Sequence, residues 1–80
     1  MSPALYAELL SFLNRLDERK ACYTICHHRD EAIMVKVDVP GERWEIEFMS
    51  DGTIEVERFR SSGEIAGAEA IDILFSEFVR

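Results

Sequence analysis

Basic residues are scarce in this chain. Nine lysines and arginines stand against sixteen aspartates and glutamates over 80 residues, a formal net charge of -7. Phosphate backbones are bound by Lys and Arg that neutralise them, and Lys20, Lys36 and the scattered arginines form no basic stripe, so nucleic acid is excluded as a partner. A charged partner, if there is one, is basic. Long apolar runs are missing too: none approaches the ~20 residues that a membrane span requires. The N-terminal MSPALYAELLSFLNRL carries Glu8, Asn14 and Arg15, with no basic leader and no small-residue cleavage site, so it reads as a helix and not an export signal. The expectation is a soluble, cytoplasmic protein with no membrane partner.

Cysteine is limited to Cys22 and Cys26. On one strand, residues four apart are separated by roughly 13 Å, beyond the ~7 Å that a disulfide's Cα atoms tolerate, so reduced thiols are expected. Glycine is limited to Gly41, Gly52, Gly63 and Gly67, isolated at turns or caps, which leaves no phosphate-cradling loop and no expected cofactor. Repeats, low-complexity tracts and linkers are absent. The chain is one domain, 1–80, and its 48% hydrophobic content suffices for one small core. A domain this short buries little more than ~60% of its unfolded surface, so its margin is modest and a homodimer would help.

Two segments have helical periodicity. Ser2 suits an N-cap and Pro3 a first helical position, after which Leu5, Leu9, Phe12, Leu13 and Leu16 recur at helical spacing, predicting a helix from about Pro3 to Arg19. Tyr6 and Leu10 widen its apolar face. Ile71, Leu74, Phe75 and Phe78 mark a second helix from about Ala68 to Val79, after a turn at Ser61-Ser62-Gly63.

Between the helices the period is two, which predicts four strands. AIMVKVDV places Ile33, Val35, Val37 and Val39 on one face, and Pro40-Gly41 fits the centre of a type II turn. In the next hairpin Trp44, Ile46 and Phe48 are buried, with Ile54 and Val56 beyond the turn. A two-residue Asp51-Gly52 loop would set Phe48 against Glu55 and mix the faces. A three-residue loop, Ser50-Asp51-Gly52 with Gly52 left-handed in a G1 bulge, pairs Phe48 with Ile54 and Ile46 with Val56, and is the register expected. By the same logic Val39 should oppose Trp44 and Val37 oppose Ile46, setting Lys36 against Glu47 and Asp38 against Glu45. In the first strand either Tyr23, Ile25 and His27 or Cys22, Thr24, Cys26 and His28 could face inward; bulk favours the first set. The fold class expected is α+β: a two-layer sandwich of a four-stranded antiparallel meander with the N- and C-terminal helices packed on one face.

Three constellations are candidates for chemistry. Cys26, His27 and His28 suggest a metal or ligand, but neighbouring residues on a strand point to opposite faces, so at most Cys26 and His28 share a side and no recognised ligand spacing follows. No metal is expected, and a metal- or ligand-binding domain built on Cys26 and His28 is the alternative reading. Glu45, Glu47, Glu55 and Glu57 could be paired acid and base, yet they look equivalent and solvated, without the contrast that separates two pKa values. No catalytic residue is expected. The sheet's uncovered face carries those four glutamates with Met34, Lys36, Asp38, Arg43, Met49 and Phe59, a mixture of steering charge and apolar anchors. Glu45, Glu47, Glu55, Glu57 and Phe59 are therefore the candidate partner-binding residues.

The block PGERWEIEFMSDGTIEVERFRSSGEI, Pro40 to Ile65, resembles small uncharacterised bacterial domains, some of which are similar to the immunity proteins that neutralise toxin enzymes. The resemblance implies a small, acidic, non-enzymatic protein and lends no individual residue a role. The expected function is a protein-interaction domain that binds a basic protein or associates with itself.

Overall fold

The computed structural model describes residues 3–59 and 65–78. In chain order they form helix α1 (Pro3–Glu18), strands β1 (Cys22–Cys26), β2 (Ala32–Val39), β3 (Glu42–Met49), β4 (Ile54–Phe59) and β5 (Ile65–Ala66), and helix α2 (Ala70–Ile73), which continues as a π-helical segment, Leu74–Phe78. Each strand is antiparallel to the next and the spatial order is that of the sequence. The expected four-stranded meander is present, and the two-residue β5 extends it. The cap at Ser2, the turn at Ser61-Ser62-Gly63 and the helix end at Val79 lie outside the described residues.

Helix α1 buries Leu5, Leu9, Phe12 and Leu16, the three-and-four spacing that keeps one stripe toward a core. It stops where Lys20 adopts φ 54°, with the Ala21 N–H donating to Leu16 O at 3.0 Å and the Lys20 N–H to Asp17 O at 3.0 Å. This closure satisfies carbonyls of the last turn and costs about 1 kcal/mol for a left-handed residue that is not glycine. It sends the chain back along the sheet as β1.

One face of the sheet supplies the other half of the core. Val35, Val37, Trp44, Ile46 and Val56 are fully buried there, with Phe48 beside them. Both helices pack on this face, contributing Leu5, Leu16, Leu74 and Phe75 to the same cluster. The Phe12 ring lies 5.5 Å from that of Phe48 and 5.7 Å, edge-on, from that of Phe75, tying α1 to the sheet and to the C-terminal helix. Each such large side chain contributes roughly 1.5–3 kcal/mol when withdrawn from water.

The β3–β4 register is the expected one: Phe48 opposes Ile54 and Ile46 opposes Val56. Its three-residue loop is closed by Gly52 N–H to Met49 O at 3.0 Å and Met49 N–H to Thr53 O at 2.8 Å, with Gly52 at φ 93°. The β2–β3 register differs from expectation by two residues. Val37 opposes Trp44 and Val35 opposes Ile46, so Lys36 lies opposite Glu45, Glu47 opposite Met34, and Asp38 opposite Arg43. The connection is the two-residue turn Pro40-Gly41, with Gly41 at φ 79°. A slip of two leaves every side chain on its own face, so alternation cannot detect it.

That tighter turn draws Glu42 into the strand opposite Val39, on the helix-covered side it shares with Trp44. A lone carboxylate there would be costly, but Arg58 faces the same side, opposite Trp44. Its Nε and Nη2 donate to the two Glu42 oxygens at 3.0 and 3.2 Å, and its guanidinium sits 4.6 Å from the Trp44 ring centre. Arg58 therefore does not help the outer carboxylates.

Strand β1 ends at Cys26, so His27 and His28 lie beyond it. Tyr23 opposes Val37 and Ile25 opposes Val35, on the helix side as preferred. Bulk does not secure their burial: β1 is the outermost strand, and Ile25 is 52% exposed. No helix of the described residues is long and apolar enough to cross a membrane.

Candidate functional site on the outer face of the sheet

The register that buries Ile46 and Val56 fixes the opposite row. Glu45 lies directly across from Glu57, and Glu47 from Glu55, on the face away from the helices. Like charges so placed weaken a sheet, so each pair needs a neutralising neighbour or solvent. The two pairs obtain different answers.

Glu47 is buried, at 8% exposure. Its partner is Arg29, from the loop between β1 and β2. Arg29 Nε donates to Glu47 Oε2 at 3.1 Å while Nη2 donates to Oε1, a two-pronged contact, and Nη2 also reaches Met49 Sδ at 3.4 Å and lies 3.7 Å from Glu55 Oε1. Hydrogen bonding to Glu47 pushes the guanidinium above its already high pKa, assisted by the charges of Glu47, Glu31 and Glu55. Planar two-pronged recognition of a carboxylate is what distinguishes Arg from Lys here. The expected neutraliser of Glu47 was Lys36; in the observed register Lys36 stands opposite Glu45 instead.

Glu45 and Glu57 have a thinner supply of positive charge. Arg43 Nη2 lies 3.4 Å from Glu45 Oε2, and that arginine side chain is half exposed. Among the described residues no cation lies within ion-pair distance of Glu57. The Arg43 guanidinium sits 5.0 Å from the centre of the Phe59 ring, which is its direct cross-strand neighbour. Phe59 is 39% exposed on this face.

Of the five residues picked out from the sequence, the structure brings four together. Glu45, Glu47, Glu55 and Glu57, with Met34 and Val56, line a shallow depression of about 70 Å³. Phe59 stands at the end of the same face. Ligand pockets for small molecules run to ~300–1,000 Å³, so the depression suits a side-chain head better than a whole ligand. A larger hollow of about 200 Å³ lies between α1 and the C-terminal helix, lined by Phe12, Phe48 and Ile54 and by the charged Glu8, Arg15 and Asp72. Arg29 is the residue that sequence reasoning missed. A loop arginine has no periodic signal, and only its position 18 residues before Glu47 combined with the β2–β3 register would have placed it.

The Cys26 and His28 region is more open. Cys26 is half-buried at the strand's end and His28 is exposed in the following loop. Among the described residues no three His, Cys, Asp or Glu side chains converge in a way that could hold a metal ion. Comparison with protein-family models, curated proteins and solved structures returns no match to this chain.

Proposed function

We propose that this is a non-enzymatic interaction domain that receives a basic protein partner on the outer face of its sheet, in the manner of immunity-type proteins. One observation carries the reading: Glu45 and Glu57 are held directly opposite each other by the ladder, and among the described residues the cations near them, Arg43 and Lys36, stand beside Glu45, with none in ion-pair distance of Glu57. A guanidinium or ammonium group from a partner would relieve that repulsion and gain charge-assisted hydrogen bonds. The neighbouring pair supports this, because Arg29 already does the same for Glu47 and Glu55 from within the chain. Phe59 lies beside Arg43 as an apolar contact for the rim of such an interface. The engaged Glu47 holds Arg29 in place, so the receiving groups are Glu45, Glu55, Glu57 and Phe59.

The reading is tested by NMR titration of the isotopically labelled protein with a short arginine-rich peptide. Amide shifts should concentrate on β3 and β4 outer positions, fade as added salt shortens the Debye length, and be lost in Glu45→Gln/Glu57→Gln. Shifts spread evenly over all acidic surfaces, including Glu8 and Glu18 of α1, would overturn it.

A further inference from the structure

The sheet has an open margin at β1. Among the described residues nothing pairs with the outer edge of Cys22–Cys26. Natural sheets protect such edges with Lys, Pro or a bulge, because the unpaired N–H and C=O groups are a template for another strand. This edge has none of these devices. Its sequence is CYTIC, and positions 21–26 hold no charged residue in a chain that is 31% charged.

The margin is also apolar on the helix side. Ile25 is 52% exposed, and α1 adds Tyr6 at 55% and Leu10 at 40%. At 3.6 residues per turn, Tyr6, Leu10 and Asp17 share one flank of α1. That flank faces β1, since the Tyr23 hydroxyl donates to Asp17 Oδ1 at 2.7 Å.

The strand is its own complement. Read in either direction it runs Cys, apolar, Thr, apolar, Cys. We propose that the chain forms a two-fold symmetric dimer by antiparallel pairing of β1 with β1 of a second copy, centred on Thr24. Thr24 then opposes the partner's Thr24, and Tyr23 opposes the partner's Ile25. Thr–Thr and aromatic–β-branched pairs are both favourable across strands. Cys22 opposes the partner's Cys26, twice by symmetry. The pairing joins two sheets into one and covers Ile25, Tyr6 and Leu10, while the Glu45–Glu57 row lies two strands inward and is a separate surface.

The cysteines supply the test. Within one chain the two are too far apart to bridge, but directly opposed residues of an antiparallel pair have Cα atoms ~4.5–5.5 Å apart, within disulfide reach. Each bridge forms as two thiols give up two protons and two electrons to oxidised glutathione, which leaves as two reduced molecules. The full-length protein should sediment as a dimer under reducing conditions at sub-millimolar concentration. Thr24→Glu should sediment as a monomer with an unchanged circular dichroism spectrum, because the new carboxylate faces Lys36 within its own sheet but its own counterpart across the dimer. With oxidised glutathione, Cys22→Ser alone and Cys26→Ser alone should give no covalent dimer, while a mixture of the two should. A monomeric wild type, or single variants that cross-link as well as the mixture, would overturn the proposal.

Discussion

The β3–β4 hairpin carries a glutamate–arginine pair on each of its faces, and the two are built differently. On the covered face Glu42 and Arg58 belong to the hairpin itself, have side chains only 8% and 13% exposed, and lie against Trp44. On the outer face the Glu47 side chain alone is nearly as buried, at 11%, but its arginine arrives from a distant loop and has a side chain 45% exposed. The covered pair is part of the core's packing. The outer pair is a clamp laid over a surface, and beside it Glu57 has no cation within ion-pair distance among the described residues. A fold can thus satisfy a charge by register alone, or leave it to whatever comes to hand.

The largest effect should come from breaking the covered pair. Arg58→Ala strips the guanidinium from a carboxylate with almost no access to water, which costs about 3–5 kcal/mol for pairs of this kind. Urea denaturation measures it. Replacing both partners, as in Glu42→Leu/Arg58→Leu, should recover most of that loss, since two apolar side chains carry no stranded charge. A double variant as unstable as the single one would show that the pair's role is not electrostatic.

Next comes the turn that decides which residues occupy which face. Gly52 sits at φ 93°, with nothing within 4 Å of where a Cβ would project, so a substitution there meets backbone strain and no clash. Gly52→Val should cost about 1–3 kcal/mol. An unchanged melting temperature would refute the left-handed turn residue, and with it the three-residue loop that sets Glu45 against Glu57.

How far the two faces could be read in advance follows from the same chemistry. Alternation fixes which side a residue takes, so the inward row Trp44, Ile46, Phe48, Ile54 and Val56, buried except for the half-buried Ile54, and the acidic row behind it were legible. In β3–β4 the loop arithmetic also fixed the register, because the competing two-residue loop would have mixed apolar and charged faces. In β2–β3 no such conflict arises between registers two apart, and the observed one pairs Glu42 with Val39, where the Arg58 contact makes its burial tolerable. The Arg29 clamp depends on a loop's path, β5 is too short to show a period, and the π-helical turn at Leu74–Phe78 leaves no mark on the apolar spacing. Local pattern gave the layers, and the long-range partners of the charges came from the chain's three-dimensional course.

A smaller effect separates the two pairs by their response to salt. Arg29→Ala should lower the melting temperature less than Arg58→Ala does, because half of the Arg29 side chain already lies in solvent. The loss should shrink as ionic strength rises, whereas that of Arg58→Ala should hardly change. Equal salt dependence in the two variants would erase the distinction between a packed pair and a surface clamp.

The smallest expected effect is the pH dependence of the turn that separates the faces. Asp51 accepts a hydrogen bond from the Thr53 N–H at 2.8 Å, and this contact holds its carboxyl below the ordinary value of 3.8. The folded state therefore binds the proton less readily than the unfolded chain does. The stabilisation is fully present above 3.8 and is lost as pH falls through the lower, folded value, so Asp51 adds nothing to any pH dependence near neutrality. An NMR titration of the Asp51 carboxyl should give a midpoint below 3.8, and Thr53→Pro, which removes the donating N–H, should return it toward that value. A midpoint that stays depressed in Thr53→Pro would mean that donors other than Thr53 hold the carboxylate, because the glutamates of the sheet could only raise it.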